Sequence, residues 1–464
     1  MSLQHGALWS QLYLSRGEVY VKTLLERAKG TTLDVFSSWM DPISAIALLI
    51  PHIKQVGLLD FVDNRWVDIR MFSALTFSSG PLPLLRTLSI NATGISISGS
   101  DVMNPPPPAF FSNAMNLQEF RLRSEGSPFL NHFAFPNLTF FELSVVPMEE
   151  LRASQLLDFL EASPMLQAVR VKIDGDIFLD DVPQERVVVL PNLESLCLVF
   201  SDGGPGYGLA AHISCPSAKH TTFTHEGGTG LVIPHEIFPA SAPWNTIVRQ
   251  YTRSPVEEIT LEIRTPLNAI ECSLTFRSPD TTFIRLHFTT VASDEDVVEA
   301  WVTFVAMYLE VFSQASRTIR DLPLLADVKR LHIRHGDSVP DQIAYITNEV
   351  GQLFKSVGPL EELAFYHCDM QPYFAPFLDY PELRDVEKPA AFPPIKELTI
   401  LRPRHVSRKD CAIAIVRLAE SQHALGVPFE RVTVRMHNLP TETAKKLRQW
   451  VGAVDYYDEL DGGD

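Results

Sequence analysis

The sequence predicts an α/β solenoid, a horseshoe-like stack of strand–turn–helix units with a parallel sheet along one side. Three observations support this prediction. A short apolar pattern recurs along most of the chain, proline or glycine precedes many of its copies, and helical patterns separate them. A single elongated array of such units can accommodate all 464 residues without closing one round core.

The recurring pattern is an apolar residue, two mostly polar residues, and then an apolar–variable–apolar triplet. The triplet alternates with period 2, which is typical of a short strand that is buried on one face and open on the other. In the first half of the chain the copies are Leu85–Ile90, Leu117–Leu122, Leu138–Leu143, Leu166–Val171 and Leu193–Leu198. In the second half they are Val256–Leu261, Val328–Ile333, Leu360–Phe365, Ile395–Ile400 and Phe429–Val434.

Proline lies one or two residues before most copies, where it suits the start of a strand because it donates no ladder hydrogen bond. These prolines are Pro83, Pro136, Pro164, Pro191, Pro255, Pro394 and Pro428. Amphipathic patterns over 154–161 and 343–354 predict helices between the strands, as parallel pairing requires. One unit cannot cover its own apolar face, so neighbouring units are expected to stack.

The predicted array runs from residue 31 to 454, after an N-terminal helical segment over 1–30. An irregular insertion is expected over about 201–322, with an antiparallel hairpin that pairs Ser273–Arg277 with Phe283–Phe288. A capping box at Ser293 predicts a long helix to about residue 316. The acidic residues 455–464 are expected to form a disordered tail.

The charge balance and the cysteine content exclude several classes of protein. With 39 basic and 56 acidic residues the formal charge is −17, which disfavours nucleic acid and anionic membranes as partners. The 5 cysteines are widely spaced and favour a reducing compartment. No secretory signal or membrane-spanning segment is visible, so we expect an intracellular protein of the cytoplasm or nucleus.

Two segments carry a resemblance to a known family. Leu360–Cys368 resembles the leucine-rich repeats of F-box proteins, and His5–Leu14 with 21–28 and 33–36 resembles the segment just after the F-box in fungal F-box-like proteins. The resemblance implies that Cys368 bonds to the backbone, and that the chain recognises substrates for an SCF-type ubiquitin ligase through a Skp-type adaptor. The Leu-Pro-x-Glu start of the F-box is missing, which counts against adaptor binding here.

No catalytic residue, cofactor site or metal site is predicted. The glycines of 203–208 follow a strand, but their spacing does not fit a dinucleotide-binding loop, and a flexible loop is expected instead. His335, His367, Asp337 and Asp369 could cluster at strand ends and, with Cys368, ligate a metal, although a structural role is favoured. The predicted function is therefore a non-enzymatic protein-binding scaffold. The alternative is a hydrolase-type enzyme whose site is not visible in local motifs.

The outward residues of the predicted strands are rich in cations although the whole chain is acidic. Period-2 alternation identifies them, because the apolar residues between them must face the core. The predicted partner-binding residues are Arg121, Arg123, Arg170, Lys172, Arg330, His332, Arg334, Tyr366 and Arg435. Two interpretations stay open: the cations attract an acidic or mixed partner surface, or they neutralise neighbouring carboxylates, such as Glu142 beside Arg121 and Glu362 beside Arg330.

Overall fold

A computed structural model of the chain describes residues 9–38, 47–63, 82–92, 114–125, 130, 135–146, 151–174, 177–178, 181–183, 185–201, 206–226, 255–264, 269–279, 283–291, 328–335, 354, 359–368, 371–374, 393–401, 408–436 and 441–457. The chain divides into two compact units, Met1–Thr221 and Thr222–Asp464. The described elements are mixed α/β with mostly parallel strand pairing, which confirms the predicted class. The single array predicted over 31–454 stays a prediction.

The first unit is dominated by parallel strands. Its strands are β1 (Gln11–Tyr13), β2 (Leu33–Ser38), β3 (Val56–Asp63), β4 (Thr87–Ala92), β5 (Glu119–Glu125), β6 (Phe140–Val146), β7 (Leu151–Arg152), β8 (Ala168–Asp174), β9 (Ile177–Phe178), β10 (Val188–Val189), β11 (Ser195–Ser201) and β12 (Ile213–Ser214). The strands β1, β2, β3, β4, β5, β6, β8 and β11 pair in that order, all in parallel. Its helices are α1 (Glu18–Ala28), α2 (Ala153–Glu161) and the short α3 (Gly206–Ala211).

The strand register of this unit aligns one buried apolar side chain per strand. The aligned residues are Leu12, Val35, Leu59, Leu88, Phe120, Phe141, Val169 and Leu196. From Leu88 onwards each is the fourth residue of a predicted repeat copy, so the predicted strand positions are confirmed. These residues form one continuous apolar column across the paired strands of this unit.

An aromatic cluster fills the core beneath β5 and β6. The ring of Phe141 lies 4.4 Å from that of Phe159 on α2 and 5.9 Å from that of Phe120. Phe135 packs edge-on against Phe120 at 5.2 Å. Helix α2 forms here because its apolar residues recur at helical spacing and give it one face to bury. The helix predicted over 154–161 is confirmed.

The second unit combines parallel repeat strands with an antiparallel hairpin. After β13 (His220–Glu226), its strands are β14 (Glu258–Arg264), β15 (Ala269–Arg277), β16 (Phe283–Val291), β17 (Arg330–His335), β18 (Leu360–Tyr366), β19 (Ile395–Leu401), β20 (Arg431–Arg435) and β21 (Ala453–Tyr457). The helices are α4 (Gln371–Phe374), α5 (Arg408–Ala424) and α6 (Thr441–Trp450). The pairing order is β16, β15, β14, β17, β18, β19, β20 and β21.

Pairing within the second unit follows the prediction closely. Strands β15 and β16 are antiparallel, so the predicted hairpin is confirmed with longer arms. Strand β14 is also antiparallel to β15, and the pairs from β14–β17 through β20–β21 are parallel. Their register aligns the buried repeat residues Ile259, Leu331, Leu363, Leu398 and Val432, followed by Val454.

Polar side chains tie neighbouring repeats together at the turns that precede the strands. The side-chain amide of Asn116 donates to the carbonyl of Pro83 at 2.7 Å, and that of Asn137 donates to Met115 at 2.7 Å. Asn192 donates to Pro164 at 3.1 Å in the same way. The proline turns therefore supply acceptors to the next repeat in addition to marking strand starts.

A glycine is required where β21 begins. An added Cβ at Gly452 would lie 2.8 Å from the backbone oxygen of Glu430, which is too close for any side chain. The amide of Gly452 donates to Phe429 at 3.1 Å. Because Gly452 has no side chain, the chain that follows α6 can approach Glu430 closely enough for β21 to pair with β20.

Several predictions need correction or lie outside the described residues. The segment 1–30 contains strand β1 as well as helix α1, and residues 455–457 of the predicted tail belong to β21. Residues 206–211, where a flexible loop was expected, form α3, in which Leu209 and Ala210 are buried, and residues 203–205 lie outside the described residues. Residues 458–464, most of 343–354 and the helix predicted over 293–316 lie outside the described residues. Within the part of the chain that the structure describes, no helix is long and apolar enough to cross a membrane.

Candidate protein-binding face

Strand alternation and register arrange the outward residues in three rows that run across the strands. We number the rows from the amino end of the strands. In the second unit the first row holds Glu258, Arg330, Glu362, Glu397, Arg431 and Ala453, and the second holds Thr260, His332, Ala364, Thr399, Thr433 and Asp455. The third row holds Glu262, Arg334, Tyr366, Leu401, Arg435 and Tyr457.

In the first unit the outward cations of the second row neutralise a shared carboxylate. Glu142 lies between Arg121, at 4.0 Å, and Arg170, at 3.9 Å. Arg121 also approaches Glu119 at 3.5 Å and covers the ring of Phe140. The neutralising interpretation therefore holds for Arg121 and Arg170.

In the third row of the first unit, the cations have fewer carboxylates nearby than in the second row. Arg123 lies between Asn91 and Ser144 in the strand register, neither of which carries a charge. No carboxylate of the described residues lies within ion-pair distance of Arg123, whereas Lys172 is 3.6 Å from Asp174. Arg123 is the outward cation of this unit that best fits partner attraction.

In the first row of the second unit, the carboxylate of Glu258 organises the cations. Glu258 is only 8% exposed, and its oxygens lie 3.5 Å from Arg277 and 3.6 Å from Arg330. The sequence paired Arg330 with Glu362, but Glu258 on the other neighbouring strand takes this role. A nearly buried carboxylate needs these charges because water cannot solvate it.

The imidazole of His332 lies between two carboxylates. Its Nδ1 is 3.9 Å from Glu258 and its Nε2 is 3.6 Å from Glu362. Those separations are too long for hydrogen bonds, so Nε2 is buried without a hydrogen-bond partner among the described residues. The ring also meets Tyr366 edge-on at 5.9 Å. His332 is thus an internal part of the face, shielded beside Glu258.

The third row of the second unit exposes arginine and tyrosine together. The neighbour of Arg334 in the register is Glu262, but Glu262 is bound by Arg264 through two nitrogens, at 3.0 and 2.8 Å. Arg334 instead lies over the ring of Tyr366, 4.5 Å from its centroid. Arg435 has Leu401 and Tyr457 as register neighbours, so no adjacent strand offers it a carboxylate in this row.

The outward face is not open along its whole length. On β15 the outward residues Ser273 and Thr275 are buried, which differs from the expectation of one open face. Ser273 lies opposite His287 in the antiparallel pair, and burial lowers the pKa of His287 below its usual range. The Ser273 hydroxyl has no hydrogen-bond partner among the described residues, so it lacks the contact with a base that a nucleophile needs.

The described residues that were considered as metal ligands have structural contacts, and the amide of His367 donates to the carbonyl of Leu401 at 2.9 Å. Asp337 and Asp369 lie outside the described residues. His335 is buried and hydrogen-bonds to Tyr373 through Nε2, and the thiol of Cys368 donates to the carbonyl of Ile333 at 3.4 Å. The backbone bond expected for Cys368 is therefore confirmed. No group of three or more His, Cys, Asp or Glu in the described ranges is arranged to hold a metal ion.

Chemical labelling of the cysteines can test which of their side chains are buried. Burial raises the pKa of Cys215 and of Cys272 to about 12, which leaves almost no thiolate at pH 8. Cys197 is partly exposed. We expect a maleimide at pH 8 to label Cys197 first and to reach Cys215 and Cys272 only after unfolding, as measured by mass spectrometry of digested peptides. A Cys197→Ser variant is the matched control, and rapid native labelling of Cys272 would contradict the burial of β15.

Sequence reasoning missed two residues of the face, Glu258 and Tyr457, which occupy outward positions. The alternation within Ala453–Tyr457 was the available signal for Tyr457, and the Val256 copy was the signal for Glu258.

No protein-family model, curated protein or solved structure matches this chain.

Proposed function

We propose that the chain is a non-enzymatic protein-binding scaffold, built as a leucine-rich-repeat-like solenoid, that binds a partner protein through the outward rows. The observation that supports this most is the register. It aligns buried residues in one column and places charged and aromatic side chains in continuous rows on the opposite face. Rows of this kind present a broad surface, which suits a protein partner better than a small molecule.

The resemblance to F-box proteins extends the proposal to substrate recognition in an SCF-type ubiquitin ligase. In that role the outward rows bind the substrate, and a Skp-type adaptor is a separate partner. Binding of the purified adaptor, measured by calorimetry with this chain, tests that extension independently of the scaffold itself. Absence of adaptor binding would limit the proposal to a scaffold.

Site-specific photo-cross-linking tests the scaffold. A photoreactive amino acid is placed at Ser144 or Thr399 on the outward face, and the control position is the exposed Arg417 on α5. We expect a partner to cross-link from the outward positions and not from the control, because the rows form the contact surface. The partner is then purified and its binding measured directly. Cross-links from Arg417 alone would refute the outward face as the binding surface.

A variant for measuring partner binding should keep the cations around Glu258 in place. Among the described residues, replacing both Arg330 and His332 would leave Arg277 as the cation near this nearly buried carboxylate, so lost binding could reflect local unfolding. Arg123 and Arg334 are better choices, since neither has a carboxylate partner among the described residues.

A further inference from the structure

We propose that the third row of the second unit, from Arg334 to Tyr457, binds an acidic extended segment of a partner protein with the spacing acidic–x–apolar–x–acidic. This inference rests on the proposed scaffold function and names the chemistry of what one part of the face recognises. The row consists of Arg334, Tyr366, Leu401, Arg435 and Tyr457.

The first argument is charge. Arg330 and Arg431 in the first row already have carboxylates nearby: Glu258 at 3.6 Å for Arg330, and Asp455 at 3.4 Å for Arg431. Within the described part of the chain, the carboxylate next to Arg334 in the third row is Glu262, which binds Arg264 through Oε1 and forms no ion pair with Arg334. Among the described residues, Arg334 and Arg435 therefore keep their charge uncompensated and are available to carboxylates of a partner.

The second argument concerns the aromatic and apolar side chains that lie next to these arginines. Tyr366 presents its ring beneath Arg334, and Tyr457 is 57% exposed at the other end of the row. Leu401 lies between them and is partly exposed. Arginine and tyrosine around an apolar centre are the residue types that dominate binding energy at protein interfaces.

The third argument is spacing. Adjacent strands lie about 4.8 Å apart, so the three strand steps from Arg334 to Arg435 span about 14 Å. An extended peptide advances about 3.3 Å per residue and turns alternate side chains to one face. Two acidic residues four positions apart therefore match the two arginines. The residue midway between them faces Tyr366 and Leu401, and an apolar side chain suits that place.

The net charge of the chain limits the size of the ligand. At −17 the chain repels an acidic domain at most of its surface, whereas a short acidic segment can contact the row alone. The same repulsion disfavours a nucleic-acid strand, although stacking on tyrosine and arginine would otherwise suit one. An acidic peptide segment is the occupant that meets both conditions.

Fluorescence anisotropy with the full chain tests the proposal. The probe is a labelled peptide Gly-Asp-Ala-Phe-Ala-Asp-Gly, and its comparisons are a peptide with lysine for aspartate and one with adjacent aspartates. We expect the first peptide to bind best and its binding to weaken with added salt. Arg334→Ser and Arg435→Ser should each weaken it about tenfold, because each removes a charged contact. Arg417→Ser is the matched control, since this exposed arginine lies on α5 and not in an outward row, and it should change binding less than about twofold.

Each other outcome overturns the inference. Equal binding to the wild type and to both third-row variants would place the peptide elsewhere. Tighter binding of oligodeoxythymidine than of the peptide, with the same dependence on Arg334 and Arg435, would identify a nucleic-acid site. Peptide binding only after removal of residues 458–464 would make the acidic end of the chain the occupant.

Failure of this inference is distinguishable from failure of the scaffold function. If a partner cross-links from Thr399 and its binding is unaffected by the peptide or by Arg334→Ser, the scaffold stands and the acidic-segment inference falls. If no partner cross-links from either outward position while the peptide binds as expected, the peptide site stands and the scaffold proposal loses its support.

Discussion

Replacing Phe141 by alanine is expected to lower the free energy of unfolding of the first unit by about 3–5 kcal/mol. The side chain is 0% exposed and contacts the rings of Phe120 and Phe159. Removing the ring loses its burial and leaves a cavity that neither β6 nor α2 can close, because both are fixed by strand pairing and helix packing. Urea denaturation, with hydrogen exchange of the amides in β5 and β6, measures the loss.

Phe140→Ala is the matched control for this prediction. Phe140 precedes Phe141 in the same strand but faces outward, where its main contact is the guanidinium of Arg121 at 5.3 Å. We expect a loss of about 1 kcal/mol or less, as for an exposed cation–π contact. Similar losses of unfolding free energy for Phe140→Ala and Phe141→Ala would contradict the outward position of Phe140 and the inward position of Phe141 in β6.

Leu398→Ala is expected to destabilise the second unit by about 2–5 kcal/mol. Leu398 is 0% exposed and lies between Leu363 and Val432 in the column of buried repeat residues. Strand β19 pairs with both β18 and β20, so a cavity at Leu398 weakens the packing of both adjacent strands. Faster hydrogen exchange in β18 and β20 should accompany the lower unfolding free energy.

The control for Leu398 is its sequence neighbour. Thr399 is partly exposed in the second outward row, and Thr399→Ala should change the unfolding free energy by about 0.5 kcal/mol or less. If exchange in β18 and β20 is unchanged by Leu398→Ala, the repeats are not energetically coupled through this column.

Most repeat strands were predictable because their signal is local. Leu363 and Leu398 are fixed as inward residues by alternation within a few positions, and the structure buries both. Strands β1, β2 and β3 were missed, since none carries the full pattern: β1 spans only Gln11–Tyr13, and β3 contains the consecutive apolar residues Leu58 and Leu59. Strand β21 was missed because its residues overlap the acidic end of the chain.

The outward facing of the site residues was predictable, but their ion pairs were not. Alternation placed Arg330, His332 and Arg334 on one face of β17, as the structure does. The sequence offered Glu362 as the partner of Arg330, since the next repeat lies downstream. The actual partner, Glu258, belongs to a strand far upstream, and the pairing of β14 with β17 is not visible in either segment.

By itself the sequence determined which residues of a repeat strand face inward, because the backbone of an extended chain turns successive side chains to opposite faces. From this alternation alone, Leu331 is predicted to be buried and Arg334 to be exposed, and the structure agrees for both. Only the tertiary structure decided which outward charges remain available. An arginine is neutralised by whichever carboxylate a neighbouring strand brings within reach, and pairing between distant segments sets that neighbour. Thus Glu258 compensates Arg330, while Arg264 occupies Glu262 and leaves Arg334 to Tyr366.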